Sequence, residues 1–203
     1  VFTSGLFVMA DSANRILTSA DGIQWTPRTL ARKPVIRRLA VRQSNLFAIG
    51  DSGTILRSAN GIEWAELAKP CNACGVADIQ SEKGGLLAAT SAGICQSIAG
   101  DSWTCRGDST ARPKLEKVAF GNGRFLALAD SGEIFTSGNG LDWAAPTPLP
   151  RCQFFDLLFA RGKFHALDAH GEVYSSADGV SWSVSRIGYS YVYTIAEGGG
   201  KFL

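Results

Sequence analysis

No uninterrupted apolar run reaches the roughly 18 residues that a membrane-crossing helix needs, and no charged-then-apolar leader opens the chain. A transmembrane segment is therefore not expected. Val1 stands where a methionine would, which fits a matured or excised chain and leaves room for a removed signal peptide. Histidine is scarce: His165 falls within an apolar strand pattern and His170 within a turn, and neither joins carboxylates or cysteines at metal-ligand spacing. No serine has a nucleophile-elbow context, and no glycine-rich segment joins a strand to a helix. Tyrosine occurs only at Tyr174, Tyr189, Tyr191 and Tyr193. A sialidase-type site, which needs an arginine triad and a Tyr/Glu nucleophile pair, is not assembled by Glu172 and Tyr174 lying two residues apart. An enzyme is not expected, nor a metal or cofactor. Charge of one sign is also lacking, with 20 basic against 18 acidic residues and a net charge of +2. That balance excludes nucleic acid as the expected partner.

What is present is a repeat. Five tryptophans, Trp25, Trp64, Trp103, Trp143 and Trp182, stand at intervals of 39, 39, 40 and 39 residues. Each closes a phrase that begins with serine: Ser19-Ala-Asp21-Gly22-Ile-Gln-Trp25, Ser58-Ala-Asn60-Gly61-Ile-Glu-Trp64, Ser97-Ile-Ala-Gly100-Asp-Ser-Trp103, Ser137-Gly-Asn139-Gly140-Leu-Asp-Trp143 and Ser176-Ala-Asp178-Gly179-Val-Ser-Trp182. Helical periodicity is absent throughout. The fourth copy shows the internal plan most clearly. Lys117–Phe120 is a short apolar strand, Arg124–Ala129 a near-continuous apolar one, and Glu133–Ser137 an alternating one. Asn139-Gly140 signals a two-residue hairpin, and a fourth strand is expected to begin at Leu141. A period near forty made of four short strands is the mark of a β-propeller blade, since such a unit cannot bury both faces without neighbours. The expected fold is all-β: four-stranded antiparallel blades, five copies, one domain over residues 1–203.

The Ser-x-Asp-Gly-x-x-Trp phrase, preceded by an apolar strand and a glycine-bearing turn, resembles the Asp-box or BNR-type blade. It is most similar to the shortened form found in photosystem II assembly and stability factors and their bacterial relatives. The usual Asp-box carries one more residue between Asp and Gly. The likeness spans the whole chain and implies a propeller, with docking platforms bearing an arginine-rich face as the functional association. It transfers no individual contact. The phrase also has a local explanation. Asp21, Asn60, Asn139 and Asp178 would tolerate positive φ before a glycine, the serine hydroxyl would bond turn amides, and the indole would cover the gap between blades. Asp21, Gly22, Trp25, Gly61, Trp64, Gly100, Trp103, Gly140, Trp143, Asp178, Gly179 and Trp182 are accordingly read as structural.

The chain continues past the fifth copy as Glu197-Gly-Gly-Gly-Lys-Phe-Leu203, which opens another repeat and favours a piece of a longer propeller. Cys95 and Cys105 lie symmetrically about Gly100, placing them across a hairpin, and a disulfide there favours an oxidising compartment, periplasmic or secreted. Cys71-Asn-Ala-Cys74 is a second candidate pair, without the βαβ setting of a thioredoxin motif. Cys152 is then left over, and buried free thiols in a cytoplasmic protein remain the alternative.

Charge distribution gives the sharper functional expectation. In a propeller the blade-to-blade links share one face, and here they hold 12 of the 20 basic residues against Glu66, Asp108 and Glu116. The tryptophan hairpins carry an acid in each copy, Asp21, Glu63, Asp101, Asp142 and Asp178. The expected function is a protein-binding or assembly scaffold that meets an anionic partner through Arg28, Arg32, Lys33, Arg37, Arg38, Arg112, Lys114 and Arg151. The alternative is a carbohydrate-binding propeller with stacking aromatics. The scaffold reading expects buried tryptophans and the sugar-binding reading exposed ones.

Overall fold

In the second to fifth repeats the second strand is covered on both faces, as in β6 from Asn45 to Gly50, where five of six residues are buried. Around it each repeat folds into one antiparallel four-stranded sheet. The computed structural model describes residues 1–3, 5–42, 44–72, 74–82, 85–106, 114–149, 153–186, 193–194, 197–198 and 201–202. The first sheet is β1 (Phe2–Thr3), β2 (Leu6–Ala10), β3 (Ile16–Ser19) and β4 (Thr26–Arg28). The second is β5 (Ile36–Arg42), β6, β7 (Ile55–Ser58) and β8 (Ala65–Glu66). The third is β9 (Val76–Glu82), β10 (Gly85–Thr90), β11 (Gly93–Ser97) and β12 (Thr104–Arg106). The fourth is β13 (Leu115–Gly121), β14 (Arg124–Ala129), β15 (Glu133–Ser137) and β16 (Thr147–Pro148). The fifth is β17 (Phe154–Ala160), β18 (Lys163–Asp168), β19 (Glu172–Ser176) and β20 (Ser183–Arg186). A two-stranded pair, β21 (Glu197–Gly198) and β22 (Lys201–Phe202), follows. Among the described residues no helix is long and apolar enough to cross a membrane.

The chain divides into two units, Val1–Cys105 and Arg106–Leu203. In the first, Val8 and Ile16 of one sheet meet Leu46, Ala48 and Leu56 of the next, with Trp64 packed at their edge. Phe47, Ile49 and Ile55 on the opposite side of that second sheet meet Ile79, Leu86 and Ala88 of the third, with Trp103 alongside. In the second unit Leu126, Leu128 and Ile134 meet Phe164, Ala166 and Tyr174, with Trp182 alongside. Fully buried side chains of this size each contribute about 1.5–3 kcal/mol on leaving water, so sheet-on-sheet contact is the main stabilising term.

The tryptophan phrase departs from its expected form in two ways. The turn is longer than a two-residue hairpin: β3 ends at Ser19 and β4 starts only at Thr26, after Trp25. In the fourth copy the last strand begins at Thr147 rather than at Leu141. Second, positive φ falls on the glycine alone, Gly22, Gly61, Gly100, Gly140 and Gly179, and not on the Asp or Asn before it. The acid or amide is there as a cap. Asp21 Oδ1 accepts the Ile23 and Gln24 amides at 2.8 Å each and the Ser19 hydroxyl at 2.9 Å. Ser19 Oγ in turn accepts the Gly22 amide at 2.8 Å. The same bonds recur at Asn60, Asn139 and Asp178. Satisfying four backbone donors with one serine and one Asx side chain is what fixes the phrase.

All five indoles are half-buried. Four donate Nε1–H to the carbonyl of their own turn glycine, at 3.0–3.2 Å. The third copy has Ala99 where the others carry Asp or Asn, and its turn is held differently. Gly100 O accepts the Ala68 amide at 2.9 Å, and Trp103 donates to Ala68 O at 2.7 Å.

Candidate functional site

The opposite ends of the strands carry the links between sheets, and here a β-bulge controls which side chains emerge. Pairing shifts by one residue between Ile36 and Arg38, between Leu115 and Lys117, and between Phe154 and Asp156; the third sheet shifts at Val76/Asp78. The extra residue turns the side chain beside it away from the sheet's inner face. Arg37, the bulged residue, is thereby exposed and forms an ion pair with Asp51, its Nη2 donating to Oδ2 at 3.2 Å. That partner raises the guanidinium pKa still further. Arg38, one residue on, turns inward: its Nε lies 3.5 Å from Oδ1 of the fully buried Asp78.

Asp51 opens a short 3-10 turn, Asp51–Gly53, in which Ser52 and Gly53 both take positive φ. Gly53 is required there, because a Cβ would come within 2.8 Å of the Cys74 carbonyl. Between this turn, the Arg32–Val35 link and the segment after β8 lies a cavity of about 300 Å3. Arg32, Lys33 and Lys69 line it together with Asp51, Ser52, Thr54 and Glu66. Arg32, Lys33 and Lys69 are exposed, and none takes a carboxylate partner among the described residues, whereas Asp51 is already matched by Arg37. The uncompensated charge of the lining is therefore positive. Such a concavity suits carboxylates or other oxyanions, with Arg32 able to present a planar fork and the two lysines point charges.

The eight basic residues singled out from the sequence thus separate. Arg32 and Lys33 line the cavity and Arg37 sits at its rim through Asp51. Arg28 is half-buried and donates to Thr18 Oγ1 at 2.7 Å, and Arg38 belongs to the inner strand. Lys114, in the second unit, pairs with Glu116, which raises its pKa. Arg112 and Arg151 lie outside the described residues, as does Cys152. Lys69, Ser52 and Thr54 were not among the candidates. Lys69 lies in the link after β8, and the structure brings it into one lining with Arg32. Cys95 pairs with Cys105, and Cys71 with Cys74. His165 is buried and engaged, with Nδ1 at 2.9 Å from Ser175 Oγ and Nε2 at 3.3 Å from the Ala160 carbonyl. Desolvation lowers its pKa.

Five repeated four-stranded antiparallel sheets, each stacked on the next within its unit, define the chain as a β-propeller protein. No protein-family model matches the sequence, and no curated protein is similar to it in sequence. Solved structures are similar in fold. YCF48 from Cyanidioschyzon merolae aligns with 98% of this chain and 76% of its own, at 17% identity and a TM-score of 0.69. A structure described as YCF48 bound to D1 peptide aligns over 97% and 69%, at 18% identity and a TM-score of 0.72. A catalytically inactive virginiamycin B lyase from Staphylococcus aureus, solved with quinupristin, aligns over 92% and 71%, at 10% identity and a TM-score of 0.76. At these identities the likeness is one of fold.

Proposed function

We propose that this chain is a non-catalytic docking module whose Asp-box-type blades present a basic cavity to an anionic segment of a protein partner. The observation that carries this reading is the convergence of Arg32, Lys33 and Lys69, from two separate links, on one concavity without matching acids among its walls beyond Glu66 and the neutralised Asp51. A propeller of similar fold binds a peptide, which supports a protein partner. The two disulfides favour a periplasmic or secreted protein.

The test uses a fluorescein-labelled hexaglutamate peptide and fluorescence anisotropy. Binding should weaken as salt rises, because the attraction is largely electrostatic. It should be lost in the triple variant Arg32→Glu/Lys33→Glu/Lys69→Glu and retained in Arg124→Glu, a change at the exposed turn at the other end of the strands. Equal binding by wild type and triple variant would remove the cavity from consideration. A glycan array positive with the peptide silent would favour the carbohydrate reading instead.

A further inference from the structure

The first sheet leaves one face open, and we infer that it is a self-association surface, covered in solution by the same face of a second copy of this chain. Register pairs Phe2 with Phe7, Met9 with Leu17 and Leu17 with Pro27, so these five side chains share one side of the four strands. Phe2 is 57% exposed, and Phe7 and Met9 are 39% exposed each. The Phe2 and Phe7 ring centroids lie 4.6 Å apart. The other side of the same sheet, with Val8 and Ile16, is buried against the second sheet.

Elsewhere in the chain these positions are covered by another sheet. Phe7 pairs with the phrase serine Ser19 as Leu46 pairs with Ser58, so Phe7 and Met9 correspond to Leu46 and Ala48. Leu46 and Ala48 are fully buried, packed with Val8 and Ile16 of the sheet before. Leu86 and Ala88 hold the positions in the third sheet, Phe164 and Ala166 in the fifth, and none is more than 4% exposed. The turn glycines show the same difference. A Cβ at Gly61 would meet Leu6 and Val8 of the preceding sheet, and one at Gly179 would meet Leu126. A Cβ at Gly22 would meet only Phe7, of its own sheet.

The occupant follows from which faces a second copy has free. The side that covers a following sheet carries Val8 in the first copy, and Phe47, Leu87, Leu126 and His165 at the matching positions of the others. All five are buried. Among the described residues, then, a second copy offers no free covering side, whereas its own Phe7–Met9 face is open. Two such faces suit each other. Their five side chains carry no charge, so stacking them takes no ion out of water, and the unbranched Met9 adapts to the rings it meets. A two-fold axis through the contact closes the pair and leaves neither face over.

The experiment follows the mass of the intact chain by sedimentation equilibrium from about 1 μM to about 1 mM. Wild type should pass from 21.6 kDa to twice that mass. Met9→Arg, which sets a charge in the face, and Phe2→Lys, at its edge strand, should each hold the chain at the monomer mass throughout. Ile98→Lys, at a side chain 86% exposed in the third turn, should leave the dimer unchanged. Near-ultraviolet circular dichroism reports whether Met9→Arg folds; if it does not, the more exposed Phe2→Lys decides. The contact is then placed by p-benzoylphenylalanine at position 2, in an equal mixture of isotope-labelled and unlabelled chains. Photo-cross-links should join labelled to unlabelled copies within residues 1–28, the first sheet. The inference is overturned by a wild type that stays monomeric or by a dimer that survives both charged variants. Cross-links confined to one copy, or reaching past residue 28 of the other, overturn it equally. None of these readings involves the basic cavity, so the docking proposal stands or falls separately.

Discussion

Arg38 Nε and Asp78 Oδ1 stand 3.5 Å apart at matching positions of successive inner strands, and Lys117 Nζ and Asp156 Oδ1 repeat the relationship at the same distance. The third residue of the inner strand is thus basic in the second and fourth sheets and acidic in the third and fifth. Arg42 adds a second guanidinium at Asp78, and Thr194 donates to Asp156 Oδ2 at 2.7 Å. Apolar contacts hold one sheet against the next without choosing between similar faces. A charge row that alternates in sign opposes pairing of like sheets, because two aspartates or two cations would then meet away from water.

Replacing Asp78 with Asn should destabilise the chain by about 2–3 kcal/mol in urea denaturation. That is less than the roughly 3–5 kcal/mol seen when one member of a fully buried pair is removed, since both guanidiniums keep some solvent contact. Pairing Asp78→Asn with Arg38→Met should recover part of the loss. A midpoint unchanged from wild type in Asp78→Asn would show that the pair contributes nothing.

Gly121 sits beneath the Phe159 ring, which occupies the place a Cβ would take. Gly121→Ala should therefore cost about 1–3 kcal/mol by overpacking, and Phe159→Leu in the same chain should relieve it. Gly123→Ala provides a contrast. Nothing lies near its Cβ position, so its cost comes from a φ of +71° alone.

Asp178 accepts two turn amides and the Ser176 hydroxyl, and the Ser181 and Val180 amide bonds are the main causes that lower its pKa from 3.8 to about 2. Its folded pKa lies below its unfolded one, so its stabilisation is present above the unfolded value and lost as pH falls towards 2. Asn139 makes the same bonds without titrating. Asp178→Asn should flatten the acid limb of the thermal-stability profile and leave neutral stability nearly unchanged. An identical acid limb in wild type and variant would refute the assignment.

His165 behaves in the opposite sense to an acid held ionised. Burial lowers its pKa from 6.5, so the unfolded chain takes up its proton at a higher pH than the folded one does. Stability from this group is complete above 6.5 and falls as pH drops through that value. Leu126 fills the equivalent position in the preceding repeat. His165→Leu should remove the slope between about pH 7 and pH 5 in denaturation midpoints; a slope that persists would place its origin elsewhere.

The tryptophan spacing made the repeat and the four-strand plan legible, because each strand and turn draws on residues adjacent in the chain. The Ser/Asx/Gly phrase was legible as a turn for the same reason. The role of Asp21 and its counterparts was misread, since a cap and a left-handed backbone favour the same residue types. The candidate site was legible only in outline. Arg32 and Lys33 were singled out, but Arg38 stood beside Arg37 with nothing local to separate them.

By itself, then, the sequence determined the repeat and the four-strand plan within each copy, both consequences of short-range bonding repeated at a fixed interval. Tertiary structure alone decided that Arg37 faces solvent while Arg38 meets Asp78, and that Lys69 reaches the cavity opened by Arg32. A one-residue bulge reverses side-chain direction, and its place is set by hydrogen-bond register with a neighbouring strand. The meeting of distant links likewise depends on how sheets stack.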